Sequence, residues 1–152
     1  QDGRDMEARE GMLLGSLLAG MAFSHSDVAA VHCLAEALGA MYDAPHGACN
    51  AIALPAVMAY SMEACVDRYA DVARCLGLSF ATTEEGARAA VREVQQMARD
   101  LELPSIAVFG VREEDFEIIA AKAEANLSNP DNPRVLTRAD YVALLRILTG
   151  TV

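Results

Sequence analysis

The sequence predicts an all-α protein, a bundle of about seven helices. Three observations carry that prediction. Only 5% of the 152 residues are aromatic and Trp is absent, while Ala, Leu and Met abound, a composition of helix formers. Runs of β-branched and aromatic residues, which strands favour, are scarce. Capping residues and Gly or Pro breakers divide the chain into segments of helical length, with no strand–helix alternation.

Asp5 to Phe23 reads as one long first helix. Its second half, Met12 to Met21, is apolar almost all round, a pattern expected at the centre of a bundle. Gly15 and Gly20 cost helix propensity there, and close helix approach would explain them. Ser24-His25-Ser26-Asp27 breaks the pattern and offers N-caps for a second helix, from about Val28 to Leu38 with Gly39 near its end. Met41 to Asp43 is expected as a loop. Pro45 suits the first turn of a third helix, which Pro55 should kink.

Glu63 to Leu76 forms the fourth helix, ended by Gly77. Thr82 or Thr83 caps the fifth, with Glu85 as a capping-box partner for Thr82, and Leu103-Pro104 ends it. Ser105 to Gly110 carries the one weak strand signal and is expected as a loop. Arg112 to Asp115 opens a sixth helix ending near Asn126, and Asn129 to Pro133 must turn. Thr137 caps the last helix, through about Leu148 and ended by Gly150.

The charge narrows the function. With 22 acidic against 12 basic residues the formal net charge is −10, which argues against nucleic acid and against anionic lipid as partners. Ala44 to Met62 is free of charged residues, but His46, Asn50 and two prolines, with acidic flanks, favour a core helix over a membrane span. No Gly-rich nucleotide-binding motif is present. Cys33, Cys49, Cys65 and Cys75 form no CxxC pair and read as buried free thiols in a reducing cytosol, so a cytoplasmic location is expected; Cys33 and Cys49 lie near the histidines of interest. The chain opens Gln1-Asp2-Gly3-Arg4-Asp5, without a basic or apolar leader, and is expected to be the interior of a longer chain.

Two of the three histidines matter together. His32 lies on the second helix and His46 at the start of the third, just past a short turn, so a helical hairpin can bring both imidazoles to one end. Glu36 stands four residues after His32 and shares its face. Two nitrogens and a carboxylate are ligand types chosen by Zn2+ and Fe2+. On spacing alone, a hydrogen-bonded histidine pair beside an ion-pairing Glu is an equal reading.

The text of the sequence adds to the spacing. Ala19-Gly20-Met21-Ala22-Phe23-Ser24, Val31 to Gly47 with its two histidines, Cys49-Asn50-Ala51-Ile52, Leu54-Pro55 and Asn132-Pro133-Arg134 closely resemble the iron-containing alcohol dehydrogenases, over nearly the whole chain. The resemblance implies an N-terminal dinucleotide-binding domain followed by a helical domain, with a metal in the cleft held by one Asp and three His. The last two His match His32 and His46; the Asp and the first His belong to a helix outside this sequence. The chain is thus expected to be a single helical metal and substrate domain over 1–152, truncated at its N-terminal side, with NAD(P) bound mainly by the dinucleotide-binding domain it lacks, and inactive alone. Glu36 departs from the family, which commonly has a His there, near the metal but not bound to it.

The reaction implied is interconversion of an alcohol and an aldehyde or ketone, with Fe2+ or Zn2+ as Lewis acid, His32 and His46 as ligands, and Glu36 passing the hydroxyl proton to solvent. Phe23 and Ser128 are candidates for the substrate pocket, and His25 for its rim, although core, helix-end and solvated-loop roles suit the three as well. The partner implied is a small alcohol or aldehyde, and self-association is expected through any face left uncovered. The alternative is a free-standing helical metal-binding or interaction module without catalysis.

Overall fold

The computed structural model describes residues 2–150; Gln1, with which the chain opens, and the last two residues lie outside them. Among the described residues there are seven α-helices, four short 3-10 helices and no strand, as the composition predicts. The α-helices are α1 (Met6–Phe23), α2 (Ala30–Tyr42), α3 (His46–Ser61), α4 (Val66–Cys75), α5 (Thr83–Asp100), α6 (Phe116–Glu124) and α7 (Arg138–Thr149). None is long and apolar enough to cross a membrane.

Local chemistry sets most boundaries. The Asp5 carboxylate accepts from the Ala8 N–H and starts α1. Thr82 and Glu85 form a reciprocal capping box on α5, and Thr137 and Asp140 form another on α7. Gly77, Gly110 and Gly150 take positive φ after helical segments. Three boundaries differ from expectation. α2 starts at Ala30 without a side-chain cap and runs through Gly39 to Tyr42, because burial of its inner face outweighs the cost of one glycine. Residues 62–64 are a separate 3-10 turn, since Cys65 leaves helical geometry at φ −149° before α4. Ile106–Phe109 is a 3-10 turn, capped by Ser105, where a loop was expected.

The core surrounds α2. Its Ala30, Cys33, Leu34, Ala35, Ala37 and Leu38 are buried, mostly against α3 and α6, and small residues let those helices approach closely. α6 packs on α7, α3 on α5 and α7, and α4 along α5. α1 corrects the sequence reading: none of its 18 residues is buried, and Met12 and Leu13 are 75% and 74% exposed. Gly15 has no heavy atom within 4 Å of where a Cβ would sit, and Gly20 meets only Phe23 of its own helix, so neither permits a close approach. All-round apolarity marks a helix that needs cover, but not what covers it; the core is built around α2 instead. The thiols also divide: Cys33 and Cys49 are buried as expected, whereas Cys65 is partly exposed and Cys75 exposed.

Two asparagines hold the loop between α6 and α7. The buried Asn129 donates to the Leu136 carbonyl at 2.9 Å and accepts from the Tyr141 hydroxyl at 2.8 Å. Asn132 donates to the Ser61 hydroxyl of α3 at 2.9 Å and to the Arg134 carbonyl at 2.7 Å. The Arg134 guanidinium lies 4.0 Å over the Tyr60 ring. A second tie joins the end of α2 to the start of α6: the Tyr42 hydroxyl donates to Asp115 at 2.6 Å, and Arg112 donates to the same oxygen at 3.1 Å. Tyr42, and then Arg112, hold the Asp115 carboxyl below its ordinary value of 3.8.

Asn129→Ala removes the acceptor of the Tyr141 hydroxyl and the side-chain partner of the Leu136 backbone in the core. Chemical denaturation should show a loss of about 2–4 kcal/mol, and a loss under about 0.5 kcal/mol would deny the network its role. For Asp115, a lowered folded pKa means the tie is fully present above the ordinary carboxylate range and is lost as pH falls through the lowered value. Tyr42→Phe should raise the Asp115 pKa in a carboxyl-carbon NMR titration; an unchanged value would show that the hydroxyl has no part in it.

Candidate metal site

The site follows from a tight helical hairpin. Asp43 ends α2 in the left-handed region at φ 52°, ψ 30°, and its N–H bonds the Gly39 carbonyl at 3.0 Å. Asp is among the few residues that enter this region readily. Pro45, extended at φ −60°, ψ 119°, then serves as N-cap of α3. His46 is thus the first residue of α3, and the returning helix lays it beside α2.

His32 faces it. On α2, positions 32, 36 and 40 follow one another by about a helical turn and lie away from the buried stripe of Leu34 and Leu38. The His32 and His46 ring centres are 5.2 Å apart with planes tilted at 54°. A divalent cation bonded at about 2.0–2.1 Å to one nitrogen of each ring, at a tetrahedral angle, holds the ring centres about 5 Å apart. The pair therefore fits one shared cation. Burial first, and then His46, lower the His32 pKa below its ordinary 6.5, against an opposite pull from Glu36. A neutral imidazole keeps the lone pair that a metal needs.

Glu36 does not complete the set. Its carboxylate accepts from the Asn126 amide at 2.6 Å. Among the described residues, no group of three or more His, Cys, Asp or Glu is placed to hold a metal ion. The structure thus brings together two of the three side chains that the spacing aligned. Phe23 ends the bare α1 with 52% of its surface exposed. Ser128 is partly buried, and its N–H donates to the Asn126 side chain at 3.0 Å, so it stands two residues from the group that reaches Glu36. His25 is exposed and bonds the Met21 carbonyl at 2.9 Å and Ser24 at 3.1 Å. Two open hollows of about 820 and 490 Å³ are lined by residues 2–24 alone and include neither His32 nor His46.

Two asparagines were missed as site residues. Asn126 lies 90 positions from Glu36 in the chain, and no spacing rule connects them. Asn50 donates to the His46 carbonyl at 3.1 Å, while its Oδ1 is buried without a hydrogen-bond partner among the described residues. Its place one turn after His46 was the signal that could have marked it.

A model of the iron-containing alcohol dehydrogenase family, C-terminal part, matches residues 1–149. The chain belongs to this family. It is 40% identical over 143 residues to lactaldehyde reductase of Escherichia coli (strain K12), covering 92% of this chain and 37% of that protein. It is 33% identical over 148 residues to the NAD-dependent methanol dehydrogenase of Bacillus methanolicus, covering 95% of this chain and 39% of that one. The crystal structure of a 1,3-propanediol oxidoreductase superposes with a TM-score of 0.91 at 34% identity, over 96% of this chain and 39% of the other. The chain thus spans well under half the length of these relatives, which are oxidoreductases of alcohols and aldehydes by name.

The hairpin that forms the site depends on positive φ at Asp43. Asp43→Val places a β-branched side chain there and should cost about 1–2 kcal/mol in denaturant, while Asp43→Gly and Asp43→Asn should stay within about 0.5 kcal/mol of the parent. Equal stability of all three variants would mean that the turn does not constrain α2 and α3.

Proposed function

We propose that this chain forms the helical, metal-holding part of a metal-dependent NAD(P) alcohol dehydrogenase that interconverts a small alcohol and an aldehyde or ketone. The observation that carries the reading is the His32–His46 pair, 5.2 Å between ring centres, in a chain of this family. The names of the relatives support the reaction class, and one of them names NAD.

In this reading His32 and His46 hold Fe2+ or Zn2+ by one nitrogen each, the remaining ligands come from a helix outside this sequence, and NAD(P) is bound mainly by a dinucleotide-binding domain that is also outside it. A cation held by His32 and His46 would supply Lewis-acid polarisation of the substrate oxygen, and a nicotinamide would supply hydride-transfer chemistry. No side chain caps the first turn of α3, so its N–H groups and positive dipole end favour negative charge on that oxygen. Glu36, exposed and held at its carboxylate, takes the hydroxyl proton and passes it to solvent. Phe23 and Ser128 belong to the substrate pocket. The uncovered apolar surface of α1 supports self-association through that helix.

Anaerobic calorimetric titration of the chain with Fe2+ and with Zn2+, beside a His32→Ala, His46→Ala variant, tests the reading. The double variant should bind at least about tenfold more weakly. Equal binding by both proteins would sink the metal site and favour a helical interaction module without catalysis.

A further inference from the structure

Glu36 raises a question that the metal-site reading does not answer. A carboxylate one helical turn from His32 is a ligand type that Zn2+ and Fe2+ accept readily. A glutamate side chain has the reach and freedom to swing towards a cation between the two rings, and its charge would draw it there. Yet Glu36 is engaged elsewhere. Its Oε2 accepts a 2.6 Å hydrogen bond from the Asn126 Nδ2.

The donor is itself held. The Asn126 Oδ1 accepts from the Ser128 N–H at 3.0 Å, which leaves the amide nitrogen as the group facing Glu36. The Asn126 backbone N–H bonds the Ala123 carbonyl at 3.3 Å, just past the end of α6. Three residues on, the buried Asn129 bonds Leu136 and Tyr141 and anchors the same loop to α7. A donor anchored at α6 and its loop therefore reaches across to α2.

We propose that Asn126 is a positioning residue that holds the Glu36 carboxylate out of the ligand set of a cation bound by His32 and His46. Glu36 then stays free to carry a proton beside the site. This rests on the metal-site reading above. A neutral amide suits the role, because it orients the carboxylate without bringing a competing positive charge next to the metal.

Co2+ tests the proposal, because its visible absorption reports the number and type of ligands and calorimetry gives its affinity. The proteins compared are the chain itself, Asn126→Ala, Glu36→Gln, the combined Asn126→Ala, Glu36→Gln variant, and the His32→Ala, His46→Ala variant. Asn126→Ala should bind Co2+ about tenfold more tightly than the parent, with a changed visible spectrum as Glu36 joins the ligands. The combined variant should lose that gain. A merely structural role for Asn126 predicts the opposite sign, weaker binding. Affinity in Asn126→Ala equal to or below the parent, including no binding by either, overturns the proposal; so does a gain that survives Glu36→Gln. Parent-like binding by the histidine variant instead overturns the metal site itself. Should Asn126→Ala not fold by circular dichroism, Asn126→Ser takes its place, since its hydroxyl keeps an acceptor for Ser128 and gives up the reach to Glu36.

Discussion

The pairing of α2 with α3 is the constraint on which the rest depends. α2 is buried along one face from Ala30 to Leu38 and is the helix around which the core is built. Burial of that face fixes the rotation of α2 about its axis, and so fixes the direction of His32 and Glu36 on the opposite side. The left-handed Asp43 and extended Pro45 then reverse the chain within three residues and set His46 beside His32. A site made in this way inherits the rigidity of the core, because its side chains stand on helices rather than on a loop.

A second layer of support is polar and lies behind the first. Asn129 and Asn132 replace helical hydrogen bonds in the stretch between α6 and α7, where the chain would otherwise bury unpaired backbone. Their bonds reach Tyr141 on α7 and Ser61 on α3, so one loop is fastened to two helices. The Asn-Pro-Arg run is thus structural in this chain: Asn132 bridges to α3, and Arg134 stacks on Tyr60. Because that loop begins at Asn126, the fastening extends to the carboxylate of Glu36.

Membership in the iron-containing alcohol dehydrogenase family gives the His32–His46 pair its setting. The two imidazoles face each other with ring centres 5.2 Å apart, while no third His, Cys, Asp or Glu joins them in a group that could hold a metal among the described residues. α1 stands apart from this pair, and its leucines and methionines lie open although they have the pattern of a buried helix.

Much of this was legible in the residues. The all-α class, the capping boxes at Thr82 and Thr137, the ends at Gly77 and Gly150, and the closeness of His32 and His46 follow from local rules that act over three or four residues, and from one short turn. What the sequence could not decide are contacts between distant segments. The bareness of α1 depends on which helices come to lie over it, and a hydrophobic pattern reports the need for cover without naming the cover. The course of α2 through Gly39 depends on burial against α3 and α6, which outweighs a local penalty. The place of the Glu36 carboxylate depends on Asn126, 90 positions away, a distance over which only the folded chain acts.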